Sequence, residues 1–173
     1  MAYRQAELLR PDHQAAGFQC EEPALTEWLK RHALVAQASG SARVYVVTTE
    51  TAPTTVVGSY ALAAASVASE DATERALRGQ PRERPVPAIL LARLARDDRH
   101  RAAGLGASLL QDGLLRASQA ADAIGARVLL VHAKHERARA FYQRYGFEDS
   151  PTDPLHLMLL MKDVRRYLKA QGR

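Results

Sequence analysis

The residues of this 173-residue chain whose types and spacing suit chemistry begin in Leu94–Leu110, LARDDRHRAAGLGASLL. An apolar run delivers the chain into a charged turn, and Arg101-Ala102-Ala103-Gly104-Leu105-Gly106-Ala107 then opens a helical pattern. Glycines at such a turn let a ligand approach the backbone closely, because no side chain stands in the way. The free N–H groups of a first helical turn point outward, and the helix dipole adds partial positive charge. Together they form an anion site suited to a diphosphate, to which Arg101 adds a charge-assisted contact. The alternative is a helix that merely starts at glycines. A P-loop is excluded, since no Gly-Lys-Ser/Thr follows. A dinucleotide fingerprint is excluded as well, since its first glycine is absent and no early strand–helix–strand unit surrounds the turn.

Several elements must position that turn. Ile89–Ala95, apolar except for Arg93, reads as a central strand leading into it, and Leu105–Ile124 as the long helix leaving it. Along that helix Leu110, Leu114, Ala117, Ala121 and Ile124 share a face, Gly113 costs about 1 kcal/mol relative to alanine, and Gly125 stands at the C-cap. Arg4–Leu9 predicts a first strand, and the spacing of Leu25, Trp28, Leu29, Ala33 and Ala36 predicts a helix over Ala24–Ala38. Arg43–Thr49 and Thr55–Ala65 predict a hairpin turning near Pro53. Gly79–Pro87 reads as a loop. Downstream come a strand over Arg127–Ala133, a helix over His135–Tyr145 closed by Gly146, a strand over Leu155–Met161 and an amphipathic helix over Lys162–Lys169. The alternation of strands and helices predicts an α/β (α+β) domain around a mixed sheet.

Composition narrows the function classes. With 47% apolar residues the chain is globular, and its length fits one domain. No apolar run is long enough for a membrane span, and the polar N-terminal stretch lacks a signal peptide's apolar core, which predicts a cytoplasmic protein. The single cysteine, Cys20, excludes a disulfide framework and a zinc-type cluster, and reads as a small packed residue. His13, His32, His100, His132, His135 and His156 lack metal-ligand spacing and read as structural or surface residues; no metal is expected. The net charge of +5 favours an anionic partner, with coenzyme A and nucleic acid both eligible.

About thirty residues past the glycine turn, Ala138–Phe147 reads ARAFYQRYGF. The pair R-x-x-G-x-G/A, then a strand, then A-x-x-F-Y-x-x-x-G-F, resembles the acetyl-CoA signature of the GNAT superfamily of N-acetyltransferases. A narrower resemblance covers nearly the whole chain. Phe18-Gln19-Cys20, Pro23-Ala24-Leu25, Glu27-Trp28-Leu29, Val57-Gly58-Ser59-Tyr60-Ala61-Leu62, Pro85-Val86-Pro87, Arg93-Leu94-Ala95 and Ser150-Pro151…Pro154…Leu157 are similar to acetyltransferase toxins of bacterial toxin–antitoxin pairs. The chain departs from that pattern at Ala102-Ala103 (Gly-Gln in the family), at Arg96, at Gln19 and Glu21 around Cys20, and at His135, where many members carry asparagine.

The resemblance implies one GNAT domain over residues 1–173, with a mixed, mostly antiparallel, twisted central sheet flanked by helices. It implies acetyl-CoA as cofactor, held by Leu94, Ala95, Arg96, Arg101, Ala102, Ala103, Gly104, Leu105, Gly106, Ala107, Ala138 and Phe141. Tyr142 is then the general acid that protonates the departing thiolate; the other reading of Tyr142 is a core aromatic beside Phe141, Tyr145 and Phe147. Family members acetylate the α-amino group of aminoacyl-tRNA, stop translation, and are neutralised by a ribbon-helix-helix antitoxin; a homodimer is compatible with the family. The Lys162–Lys169 helix, through Arg165, Arg166 and Lys169, is an expected dock for an acidic antitoxin tail. An α-amine with a reference pKa near ~8 needs less help to lose its proton than a lysine near ~10.4. No carboxylate is obviously placed as a base beside the motif, which fits an α-amine acceptor somewhat better than a lysine. Arg93 either pairs near the sheet or contacts the acceptor's phosphates. Lys30, Arg31, Arg75, Arg78, Arg82 and Arg84 either touch the tRNA backbone or form a solvated face. Two other readings stand beside this one: a GNAT enzyme acting on a peptide N-terminus or small amine, and a non-catalytic acyl-CoA-binding module, which the retained Tyr142 and Arg101–Gly106 argue against.

Overall fold

The computed structural model describes residues 2–173 and, at Ala102, the backbone alone, so the Ala102 side chain lies outside the described residues. The elements run β1 (Glu7–Leu8), α1 (Pro23–Arg31), α2 (Ala33–Ser39), β2 (Arg43–Val47), β3 (Gly58–Val67), α3 (Glu74–Leu77), β4 (Val86–Arg96), α4 (Leu105–Ile124), β5 (Val128–His132), α5 (Glu136–Gln143), β6 (Glu148–Asp149), β7 (His156–Leu160) and α6 (Met161–Ala170). The strands follow the order β1-β2-β3-β4-β5-β7-β6. β4 and β5 are parallel, while β1–β2, β2–β3, β5–β7 and β6–β7 are antiparallel, so the sheet is mixed as expected. Two compact units divide the chain, and β3, β4 and α4 each pass from one to the other.

The first unit holds the residues up to Ala63, with Ala92–Gly113. Its core gathers Leu9, Phe18, Leu25, Leu29, Ala33, Val44, Val46, Val56, Ala61 and Ala95. The helix expected over Ala24–Ala38 is broken at His32, whose φ of −118° lies outside the helical range. Leu25, Leu29 and Ala33 keep their common buried face through the break. Gln37 supplies the reason for the new direction: its side-chain amide donates to the Leu9 carbonyl and accepts from the Val44 amide, 2.8 Å away, pinning α2 to the strands. The first strand is shorter than the apolar pattern suggests. Only Glu7 and Leu8 pair regularly with β2, although Arg4 and Leu9 still donate to the Thr48 and Val44 carbonyls.

The second unit holds Ala64–Leu91 and Leu114–Arg173. Val128 and Leu130 of β5, Met158 and Leu160 of β7, and Val86 and Ala88 of β4 pack with Ala76 and Leu77 of α3. α3 was not expected, yet its signal is local: Thr73 caps it by accepting from the Ala76 amide at 3.2 Å. Arg127 then closes it, donating to the carbonyls of Arg75, Ala76 and Arg78. β6, two residues paired to Leu157 and Met158, was missed because so short a strand has no period to read. Ile124, read as part of the buried face of α4, is 70% exposed at the helix's last turn, while Leu110, Leu114, Ala117 and Ala121 are buried.

Candidate active site

In the first unit the glycine turn is built by a buried carboxylate. Asp97 follows β4 directly and is 1% exposed. It accepts from the Arg99 amide at 2.9 Å, from the Arg99 guanidinium at 2.8 and 2.9 Å, and from the Gln19 amide at 3.2 Å. The Arg99 hydrogen bonds, with help from the Gln19 amide, bring the Asp97 pKa down to about 2 against the cost of burial. Asp97 is therefore a brace and a poor base. The Asp98 amide donates to the Gln19 carbonyl and Arg99 to the Gly17 carbonyl, so Gly17–Gln19 is fastened to the turn. Sequence reasoning passed over Asp97; its position between a strand and a helical turn, where an aspartate caps, was the available signal.

The short 3₁₀ turn Asp98–Ala103 ends at Gly104, whose φ of +70° is a left-handed conformation that a side chain would strain. α4 starts there, and its Ser108 amide donates to the Gly104 carbonyl at 3.2 Å. The amides of Leu105, Gly106 and Ala107 precede that bond and form the helix's first turn. Among the described residues, a methyl group added at Gly106 would meet no atom within 4 Å beyond its chain neighbours and its own helix backbone. Glycine inside a helix costs about 1 kcal/mol relative to alanine, and packing does not explain it at this position. Open space over a helix N-terminus fits an anionic ligand group resting on the backbone. Leu105 is buried and tethers the turn from below. Gly58 of β3 permits that packing, since a Cβ there would lie 3.0 Å from Leu109 and 3.3 Å from Leu105. Tyr60 donates from its hydroxyl to Asp112 and fastens the same helix to β3. Arg101 pairs with Asp98 at 3.0 Å and with Glu21 at 4.0 Å; with half its side chain exposed, these pairs are weak enough to be exchanged for a phosphate.

β4 carries a second irregularity. Arg93 has a φ of +58°, the one described non-glycine residue with positive φ. The parallel ladder between β4 and β5 has its last rung at Leu91↔Val131, just before it. Past Arg93, the Ala95 side chain enters the first unit's core, leaving its backbone as the part available to a ligand; Leu94 and Arg96 are half-buried. The Arg93 guanidinium lies 5.2 Å from the centre of the Trp28 ring, which gives this charge a partner near the sheet.

In the second unit, His135 caps α5: its Nδ1 accepts from the Ala138 amide at 3.1 Å. Ala138 and Phe141 are half-buried on this helix. The Tyr142 ring is buried against Phe141 and Phe147, with centroids 5.3 and 5.5 Å away. Its hydroxyl has no hydrogen-bond partner among the described residues. Burial pushes the phenol well above its usual pKa, so it stays protonated throughout the physiological range. The hydroxyl therefore carries its proton at neutral pH, and no partner among the described residues engages it.

The basic residues expected at a tRNA surface divide. Arg75 is committed to Glu148 and Asp163, each at 2.8 Å, and has a structural role. Arg31 pairs with Glu27, and Arg82 lies 3.8 Å from Glu74. Lys30, Arg78 and Arg84 are exposed. On α6, Arg165 pairs with Asp122 at 2.9 Å, and Arg166 lies 3.8 Å from Asp163. Among the described residues no cluster could hold a metal ion, and no helix is long and apolar enough to cross a membrane.

Comparison with known proteins shows the family. Residues 32–149 match the model of the acetyltransferase (GNAT) domain. A tRNA-acetylating toxin of Mycobacterium tuberculosis is 51% identical over 148 residues, 86% of either chain. A probable toxin TacT of Sinorhizobium fredii is 35% identical over 172 residues, covering 95% of this chain and 94% of its own. Among solved structures, a mutant of KacT superposes with a TM-score of 0.88 at 23% identity, over 96% of this chain and 99% of its own, a likeness of fold. An AtaT mutant toxin bound to the C-terminus of the antitoxin AtaR has a TM-score of 0.79 at 26% identity, covering 94% and 96%. The chain belongs to the GNAT family: it is an N-acetyltransferase whose acetyl donor is acetyl-CoA.

Proposed function

We propose that this enzyme is the toxin of a toxin–antitoxin pair and acetylates the α-amino group of aminoacyl-tRNA, which blocks translation. The observation that carries the reading is the 51% identity, over 86% of both chains, to a tRNA-acetylating toxin. The site's electrostatics agree with it. The buried carboxylate next to the glycine turn is held ionised near pKa 2 and cannot serve as a base, which favours an amine that loses its proton readily.

Bound acetyl-CoA supplies the acetyl group as a thioester and leaves as a thiolate that needs a proton. In this reading the first-turn amides of Leu105, Gly106 and Ala107, with Arg101, hold its diphosphate, and the backbone of Leu94–Arg96 lies along its arm. By the family resemblance Ala138 and Phe141 also belong to the cofactor-binding set, and the Tyr142 hydroxyl donates the proton. Arg93, Lys30, Arg31, Arg82 and Arg84 supply positive charge for the tRNA backbone, a contact that weakens with salt. The whole chain acts as one domain in the cytoplasm, where charged tRNA is found. Its neutralising partner is a ribbon-helix-helix antitoxin whose acidic tail meets α6, and a homodimer is compatible with the reading.

The test is transfer of labelled acetyl from acetyl-CoA to charged and uncharged tRNA. Label on charged tRNA alone supports the reading. Label on neither pool, with acetyl-CoA still bound, overturns it in favour of a peptide N-terminus or a small amine.

A further inference from the structure

Of the six histidines, four have a ring nitrogen engaged. His13 meets Glu7 and the Arg10 amide, His100 meets the Tyr3 hydroxyl, His135 caps α5, and His156 lies 3.5 Å from Asp153. His132 differs. It is exposed at the carboxyl end of β5, the first residue past the last rung of the parallel ladder with β4. Among the described residues neither of its ring nitrogens has a hydrogen-bond partner. The ring is nevertheless held in place, stacked on His156 across the β5–β7 pair with centroids 4.0 Å apart. Open sheets admit ligands outside the carboxyl ends of their strands. The same strand feeds the helix that carries Tyr142.

We propose that His132 is the proton acceptor for the substrate's α-ammonium group. This rests on the aminoacyl-tRNA reading above. At neutral pH a large share of an α-amine is protonated, and only the free amine can attack. The N–H bond breaks, its electron pair stays on nitrogen, and an imidazole nitrogen of His132 takes the proton and later returns it to water. The groups facing the ring suit that task. Partial burial, then His156 and Lys134, lower its proton affinity, while Asp153 opposes them; the balance keeps His132 neutral and able to accept. Other carboxylates of this unit are occupied: Asp149 and Glu136 by Arg139, and Glu148 by Arg75.

The experiment measures kcat/KM against pH on aminoacyl-tRNA, beside an NMR titration of the His132 ring in the ligand-free protein. In the wild type the acid limb falls below the ordinary imidazole value of ~6.5 and coincides with the NMR midpoint. His132→Asn lowers kcat at least about 100-fold, leaves acetyl-CoA affinity unchanged, and moves the limb up to the amine's own value near ~8. Lys134→Gln, on an exposed side chain, removes a positive neighbour and shifts the limb and the NMR midpoint upward together. An unaltered kcat and limb in His132→Asn, or a midpoint that moves in Lys134→Gln without the limb, overturns the proposal. Should the wild type itself transfer nothing to charged tRNA, the substrate reading fails first, an outcome separate from either of these.

Discussion

The glycine turn of the first unit and the β5–α5 segment of the second use their side chains in opposite ways. At the turn almost every polar side chain is committed to the protein. Asp97 holds Arg99 and Gln19, Tyr60 holds Asp112, and Arg101 is paired. What faces outward is backbone, the amides over an open space at Gly106. On β5 and α5 the backbone is consumed by sheet and helix, while two side chains, His132 and Tyr142, keep polar atoms without hydrogen-bond partners among the described residues. A region that holds a constant, charged ligand can do so with main chain fixed by buried braces. In the proposed reading, a region that moves protons must instead keep side-chain polar atoms unengaged by the protein.

The contrast can be broken one residue at a time. The largest effect is expected from Tyr142→Phe. The ring contacts with Phe141 and Phe147 survive, so melting is expected within about 0.5 kcal/mol of wild type, while kcat falls at least about 100-fold. Single-turnover kinetics and calorimetry check both halves. Next comes Asp97→Asn, which removes a buried acceptor of several hydrogen bonds and is expected to cost about 2–3 kcal/mol at neutral pH. The folded-state pKa of Asp97 is depressed, to about 2. Its stabilisation is therefore fully present above the unfolded value near ~4 and is lost as pH falls through ~2, about 2 kcal/mol in all. Acid unfolding curves should show that loss in the wild type and not in the variant.

Gly58→Ala tests the packing beneath the turn. The new methyl meets Leu109 at 3.0 Å, and overpacking of this kind costs about 1–3 kcal/mol. Acetyl-CoA affinity should weaken with it, as α4 is pushed off β3. The smallest effect sharpens the comparison most. Gly106→Ala removes a helical glycine where the protein leaves room, and is expected to raise stability by up to about 1 kcal/mol. The same methyl occupies the ligand's approach, so acetyl-CoA binding should weaken while the melting temperature rises.

Much of this arrangement was legible in the sequence, for a physical reason. A turn that works through its backbone must be written in glycines, and Gly104 and Gly106 stand where the spacing put them. Tyr142 was singled out through its place in A-x-x-F-Y, and its role as proton donor is part of the proposal. Asp97 offered only its capping position, because what makes it a brace is burial and partners such as Gln19, far away in sequence. His132 read as one more surface histidine, since its stack on His156 depends on the β5–β7 register. The break at His32 was hidden because Leu25, Leu29 and Ala33 keep one helical period across it, while Gln37 bends the chain from outside that period.

The account's central claim is that the turn holds the cofactor through its backbone while Tyr142 performs the chemistry. The most direct test measures acetyl-CoA dissociation constants and single-turnover rates together for wild type, Gly106→Ala and Tyr142→Phe. The account predicts a crossed result: Gly106→Ala loses affinity but keeps its rate at saturation, and Tyr142→Phe keeps its affinity but loses its rate. Loss of both quantities in equal proportion in both variants would contradict it.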